Sequence, residues 1–482
     1  MAFKPSCKRG VFMRRASWLS TALTLGVLFT SMGAAEAETL REAMAKAYAN
    51  NQSLNAARAA LRATDESVPQ ARAGMRPTVI VGGSAAAARG RTTYGDGVPH
   101  LNSRSSSLGV GIEISQTVFD GFQTPNNIQA AQARVRSAQA TLSNTVQNTL
   151  MDAAMAYMDV IRDRQISELR RQNLAFLREQ VRAANARFEV GEGTRTDVAQ
   201  ADSREALATA LLNSSLAAVA TSEAVYFDVI GDPANSLEPG QKPPERLMPG
   251  SISQGLAISQ AEHPAIQAGL FAVDDASYSV KSFEGQSLPQ LSVGASVDNT
   301  YGLSRPATGL PGVNVGTQNE VSASVGASLT IPLYQGGLVS SQVRQAKQVL
   351  GQRRIEVDNY RDQVRAAVAT AWANIQASEA NVTGYRAQVA AARLALVGVQ
   401  EERTVGQRTT LDVLDAQADV IDGQILLVGA QRDSVVASYQ LLSALGRLSP
   451  THLGLNVPVY DPNQHFNAVD RKAYGMRTPD GR

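Results

Sequence analysis

The sequence predicts an α+β membrane protein built from two internal repeats. Its strands close into a barrel only when several chains combine, and very long helices continue from that barrel. Three observations carry this. The second half of the chain repeats the first at a nearly constant offset. Each half holds a pair of segments that alternate apolar residues with small or polar ones. Each half also holds a proline-free helical run of more than sixty residues.

The N-terminus reads as a secretory signal. Arg14 and Arg15 form its basic region, residues 19–32 its apolar region, and Ala35-Glu36-Ala37 a small-residue cleavage site. The mature chain then begins near Glu38. An apolar run of 14 residues falls short of the ~20 that a membrane-spanning helix needs. The full chain carries a formal charge of +2, of which residues 1–37 supply +4, leaving about −2 in the mature part. No basic excess remains to suggest nucleic-acid binding. The single cysteine, Cys7, leaves with the signal and takes disulfide chemistry with it. No later apolar run reaches 18 residues, so a membrane can be crossed only by a closed β-barrel.

The repeat sets the organisation. Residues 77–82 match 289–294 at an offset of 212. Phe119-Asp120-Gly121 matches Tyr334-Gln335-Gly336 at 215, and that offset persists through Tyr157/Trp372, Val190-Gly191/Val405-Gly406, Asp197-Val198/Asp412-Val413 and Gly231/Gly446. The expected plan is a signal peptide over 1–37, a first repeat over 38–231, a Pro/Gly-rich linker over 232–250, a second repeat over 251–448 and a partly disordered C-terminal extension over 449–482. Each repeat reads as helix, strand pair, long helix, turn, helix.

The strands show period two. Leu108, Val110, Ile112 and Ile114 alternate with Ser107, Gly109, Gly111 and Glu113. Residues 291–297 and 320–331 behave likewise, and residues 77–92 do so more weakly. Such lengths suit tilted membrane strands with lipid-facing and lumen-facing sides. Residues 93–105 and 302–319 read as the joining loops. Tyr94 and Tyr301 near one end, and Phe119, Phe122 and Tyr334 near the other, suit interfacial aromatic girdles. Four strands cannot seal a barrel, because about eight is the minimum. Open edges in lipid would leave backbone groups unsatisfied, so several chains must share one barrel.

The helical runs, 126–190 and 338–405, predict helices of about 90–100 Å at 1.5 Å per residue. Val343, Ala346, Leu350, Val357, Tyr360, Val364, Ala367 and Ala371 form a heptad-like stripe for side-by-side packing, interrupted by Arg353 and Asn374. Both runs end in tight turns. Gly191 and Gly406 supply left-handed residues. Thr194 and Thr409 supply N-caps, with Asp197 and Asp412 in the capping-box position.

The paired V-G-x-x-T-x-x-D-V turns, the duplicated strand–long-helix order and the Phe119-Asp120-Gly121 and Tyr334-Gln335-Gly336-Gly337 junctions resemble the TolC family of outer-membrane factors over about residues 38–448. The C-terminal tail is similar to that of members associated with type I protein secretion. The resemblance implies a homotrimer in which four strands per protomer give a twelve-stranded barrel, continued by a twelve-helix periplasmic tunnel. It implies a passive duct for proteins or small toxic compounds that works with a periplasmic adaptor and an inner-membrane ABC or proton-driven pump. It also implies an acidic ring of Asp412 and Asp415 at the periplasmic entrance, and hairpin tips Val190, Gly191, Thr194, Val405, Gly406 and Thr409 that meet the adaptor. A latch between hairpins would involve Arg408 reaching Thr196 or Asp197, with Arg403 standing where some relatives carry an aromatic residue. Asp412 and Asp415 lie at i and i+3, on one helix face. The first repeat has Gln200 at the position of Asp415.

Two other classes fit less well. The four histidines show no metal-ligand spacing, and no G-x-S-x-G, Walker A or G-x-G-x-x-G pattern occurs, so no enzyme activity or cofactor is expected. A periplasmic coiled-coil adaptor would share the signal and hairpins but would need no amphipathic strand pairs.

Overall fold

A computed structural model of the protein describes residues 37–93, 95, 101–307, 316–479 and 481. Residues 1–36 of the expected signal and Tyr94 of the expected girdle lie outside them.

The first half folds as α1 (Leu40–Asn50), α2 (Gln52–Asp65), α3 (Ser67–Arg72), β1 (Thr78–Thr92), β2 (Leu101–Phe119), α4 (Gln123–Glu189) and α5 (Arg195–Ile230). The second folds as α6 (Ile252–Glu262), α7 (Pro264–Gly285), β3 (Gln290–Ala307), β4 (Thr317–Thr330), α8 (Leu338–Thr404) and α9 (Thr410–Ala444). Two short helices follow, α10 (Pro450–Leu453) and α11 (Pro462–Val469). The helices α4 and α8 each run 67 residues, about 100 Å. Pro125 is tolerated because it lies in the first turn of α4, where amides have no intrahelical acceptor.

The strands form one antiparallel sheet in the order β1-β2-β3-β4. The register sorts the side chains. Val79, Val81 and Ala85 stand level with Ile114, Ile112 and Leu108. Ile112 is level with Val297, Val297 with Ala323, and Ala295 with Val325. One face is therefore apolar across all four strands. The opposite face carries Ser84, Glu113, Ser296, Asp298, Ser324 and Glu320. The apolar face is uncovered: Val81 is 68% and Val325 88% exposed. The strands run past their alternating segments, so part of the expected loops 93–105 and 302–319 is strand. Backbone pairing sets strand length, and it continues after the apolar pattern stops. For the same reason Tyr301, expected near a strand end, lies inside β3, four residues beyond Val297.

The helices pack as two hairpins side by side. In α4, 21 residues are buried and in α9, 16, but only 5 in α5 and 7 in α8. The inner pair is thus α4 and α9, while α5 and α8 form bare edges. In α8 the buried residues Val357, Val364, Ala371 and Ser378 keep a strict seven-residue spacing. The expected Ala367 faces outward and Val368 is buried in its place. The seam steps by four and then three residues, Val364 to Val368 to Ala371, instead of three and then four through Ala367, and both steps keep the heptad. Arg353 also lies outside the seam, paired with Glu356 at 2.7 Å.

The main core sits mid-helix, around Tyr157, Tyr226, Leu150, Met44, Leu442 and Leu445. There the linker crosses the helices. The Tyr157 hydroxyl shares its proton between Glu38 O at 2.6 Å and Glu238 O at 2.7 Å. The C-terminal extension, expected to be partly disordered, is tied down over residues 450–472. His465 Nδ1 lies 2.8 Å from the buried Asp65 carboxylate, and Arg72 pairs with Asp470 at 2.9 Å.

Sheet and helices meet at two unlike junctions. Gly121 (φ +67) lies so close to α7 that a Cβ there would press into Gly285 O and Leu288 Cβ. Gly336 (φ +62) has open space around it. We predict that Gly336→Ala costs about 1–2 kcal/mol, the left-handed penalty alone. Gly121→Ala is expected to cost more and to reduce the yield of folded, membrane-extracted protein. Thermal denaturation of both variants checks this; equal losses would contradict it.

Candidate functional site

The two hairpin tips are the same local solution used twice. At the first, α4 ends and Gly191 takes φ +78. Thr194 Oγ1 accepts from the Asp197 amide at 3.2 Å, and Asp197 Oδ2 accepts from the Thr194 amide at 3.0 Å. At the second, Gly406 takes φ +78, and the Thr409–Asp412 pair closes the same box at 3.3 and 2.8 Å. Hydrogen bonds from Thr194 hold Asp197 below the ordinary carboxylate range, and those from Thr409 do the same for Asp412. The tips are bare: Val190 and Val405 are each 70% exposed, and nothing approaches Gly191 or Gly406.

Above the tips the hairpins are joined through their inner helices. Leu414 of α9 packs with Leu174, Leu177 and Ala208. Gln417 Nε2 donates to Asn173 Oδ1 at 3.3 Å in a buried contact. Arg204 of α5 pairs with Asp415 of α9 at 2.5 Å. Asp415, expected as a free carboxylate of the acidic ring, is therefore held by a cation within its own chain. The partner is 211 residues away, a distance no local pattern reveals.

The expected latch residues are not brought together within the chain. Arg408 Nε donates to Glu402 Oε2 at 2.7 Å, not to Thr196 or Asp197. Glu402 lies one turn of backbone away, so the shorter loop closure wins. Thr196 is exposed. Arg403, which stands where some relatives carry an aromatic residue, donates to Gln180 Oε1 at 3.0 Å. Its burial, then the nearby Arg187, push its affinity for a proton down.

One feature escaped the sequence reading. On α9, Asp412, Asp415, Asp419 and Asp422 fall at i, i+3, i+7 and i+10, a single acidic stripe. Asp422 lies 3.9 Å from Arg170, and among the described residues no cation is paired with Asp419. At the offset of 215, Asp419 corresponds to Arg204, so the repeats have diverged to opposite charge there. The seven-residue spacing of the acids was the available signal. Among the described residues no helix is long and apolar enough to cross a membrane, and no group of His, Cys, Asp or Glu could hold a metal ion.

The profile of the outer membrane efflux protein family matches residues 43–226 and 256–447. The chain belongs to this family. The outer membrane efflux protein BepC of Brucella suis is 46% identical over 463 residues, covering 96% of this chain and 97% of that protein. Outer membrane protein TolC of Escherichia coli is 25% identical over 75% of the chain and 74% of its own length. Among solved structures, outer membrane protein VceC of Vibrio cholerae superposes with a TM-score of 0.68 at 19% identity, over 84% of this chain and 96% of that one. In this outer membrane efflux protein, the tip glycines, the capping boxes and the α9 stripe lie at the ends of the helices farthest from the sheet.

Because capping lowers the pKa of Asp197 and Asp412, the caps are complete above the ordinary aspartate pKa of about 3.9 and are lost only as pH falls below it. Amide-exchange protection at Thr194 and Thr409, whose amides donate to the Asp197 and Asp412 carboxylates, should stay constant from about pH 8 to pH 5 and fall only below the ordinary aspartate pKa of about 3.9. Loss already at pH 6 would contradict the capping assignment.

Proposed function

We propose that the chain is one protomer of a homotrimeric exit duct in the outer membrane. Twelve strands, four from each copy, form the barrel, and the helices form a tunnel through the periplasm. The signal over 1–37 is cleaved, the repeats 38–231 and 251–448 supply equivalent strand pairs and hairpins, and the linker 232–250 girdles them. The duct passes proteins, small toxic compounds or both. A periplasmic adaptor joins it to an inner-membrane ABC or proton-driven pump, which supplies the energy. The channel itself does no chemistry.

The observation that carries this reading is the four-stranded antiparallel sheet with free edges β1 and β4 and a bare apolar face. Because β1 and β4 run in opposite directions, β4 of one copy can pair antiparallel with β1 of the next. The poorly buried edges α5 and α8 would meet in the same ring. The apolar face spans about 33 Å along β3 from Leu291 to Tyr301, roughly 25 Å of bilayer at a tilt of about 40°. That is the height of an outer-membrane apolar belt.

The exposed tips around Val190, Gly191, Thr194, Val405, Gly406 and Thr409 receive the adaptor. Asp412 and the rest of the α9 stripe line the periplasmic entrance, where a ring of carboxylates favours cations. Arg204 masks part of that ring at Asp415. Arg408 uses only its Nε on Glu402 and keeps its terminal N–H groups for Thr196 or Asp197 of a neighbouring copy.

Planar-bilayer recordings test these roles. Asp412→Ala with Asp415→Ala should move the reversal potential in a salt gradient towards zero. Arg204→Ala should move it the other way by unmasking Asp415. Arg408→Ser should raise the conductance of the resting entrance. Absence of any channel activity from the wild-type protein would end the duct reading. Unchanged selectivity in both acid and Arg204 variants would remove the stripe from the entrance.

A further inference from the structure

The charges of the sheet are completely segregated. Its strands contain three acids, Glu113, Asp298 and Glu320, and four cations, Arg89, Arg91, Arg104 and Arg305. Glu113 is level with Ile80, Asp298 with Gly111 and Glu320 with Thr300, which puts all three acids on the polar face. Arg89 is level with Arg104, and Arg104 with Arg305. Arg91 follows two residues after Arg89. By strand parity Arg89, Arg91 and Arg104 belong to the same face as Val79, Val81, Ile112 and Val297. The apolar face of the sheet therefore ends in a row of arginines on β1 and β2, and the backbone register continues it to position 305 of β3.

That row is unfavourable by itself. Like charges directly opposite on a sheet destabilise it. Nothing on the described residues relieves the repulsion: Arg89, Arg91 and Arg104 are exposed, and no carboxylate pairs with them. In the proposed ring the next neighbour would be β4 of another copy, whose outward positions nearest this end, Thr317 and Asn319, pair with Leu303 and Tyr301 and carry no charge. Residues 89–105 and 303–319 contain one acid in total, Asp96, which lies outside the described residues. One carboxylate cannot balance four guanidinium groups. The row must meet anions supplied from outside the chain.

Its height says which anions. Arg104 lies four residues beyond Leu108, and Arg305 four beyond Tyr301, the last apolar pair of the belt. Four residues at a tilt of about 40° are roughly 10 Å, which places the row in the headgroup layer of the leaflet farthest from the helices. The apolar face directly below offers a surface for acyl chains. All four cations are arginine, whose planar fork binds phosphate through two parallel hydrogen bonds, and lysine is absent from the strands. We propose that this row binds the phosphate groups of anionic, phosphorylated lipids in the outer leaflet, so that each protomer carries an annular lipid site. The proposal rests on the barrel reading above.

The test uses the full protein in nanodiscs and counts retained lipid by native mass spectrometry. Diphosphoryl lipid A is compared with chemically dephosphorylated lipid A and with phosphatidylcholine. The wild type should retain the diphosphoryl form at least about tenfold over both others, and excess inorganic phosphate should not displace it. In Arg89→Gln/Arg104→Gln/Arg305→Gln the preference should fall to near one. Equal retention of phosphorylated and dephosphorylated lipid by the wild type would overturn the proposal. So would an unchanged preference in the triple variant, or displacement by inorganic phosphate. Heat-modifiable migration on gels reports assembly separately. If the triple variant fails to assemble, the two wild-type lipid A arms decide the question alone. Failure of the wild type to enter nanodiscs would instead refute the barrel reading.

Discussion

Backbone hydrogen bonding at the sheet edges is the constraint on which the rest depends. The strands β1 and β4 each present one unpaired edge, and the face of the sheet beside them is apolar and uncovered, a surface that suits lipid in the proposed barrel. Unpaired amides and carbonyls in such surroundings cost several kcal/mol each. Among the described residues the sheet has only these two edges, and no helix or loop covers them. The proposed ring would close both edges, and the same incompleteness recurs in the helices, where α5 and α8 bury little of themselves.

The ring idea also explains the division of labour along the molecule. At one end the register sorts side chains by face: apolar on one side, Glu113, Asp298 and Glu320 on the other. In the middle, the linker and the first helices clamp the hairpins through Tyr157 and the core around Tyr226 and Leu442. At the far end, packing gives way to charge. The tips are held by caps and by single polar contacts such as Arg204–Asp415 and Arg403–Gln180. Surface pairs of that kind contribute little to stability. A tip held by such weak links is suited to changing shape, whereas the mid-helix core is not.

How much was legible in the sequence follows from the range of each interaction. The tips were readable because Gly191, Thr194 and Asp197, like Gly406, Thr409 and Asp412, act within a few residues of one another. The apolar alternation of Leu108 to Ile114 was readable because a strand repeats every two residues. The strand ends were not, since pairing of Arg104 with Arg89 depends on a partner strand rather than on local pattern. The partners of Asp415 and Arg408 were missed for opposite reasons. The first lies on another helix 211 residues away, and the second was overlooked nearby in favour of a distant hairpin. The buried stripe of α8 runs through Val368 rather than Ala367, because a heptad allows a four-three step as well as a three-four step and the sequence offers an apolar residue at both positions. The acid stripe of α9 was in plain view at heptad spacing, but only Asp412 and Asp415 were picked out.

The central claim is that one chain cannot complete the membrane-spanning wall. Native mass measurement of the detergent-extracted mature protein tests it most directly. The account predicts a species of three chains that dissociates only on heating. A stable, water-soluble single chain with no affinity for detergent or lipid would contradict it.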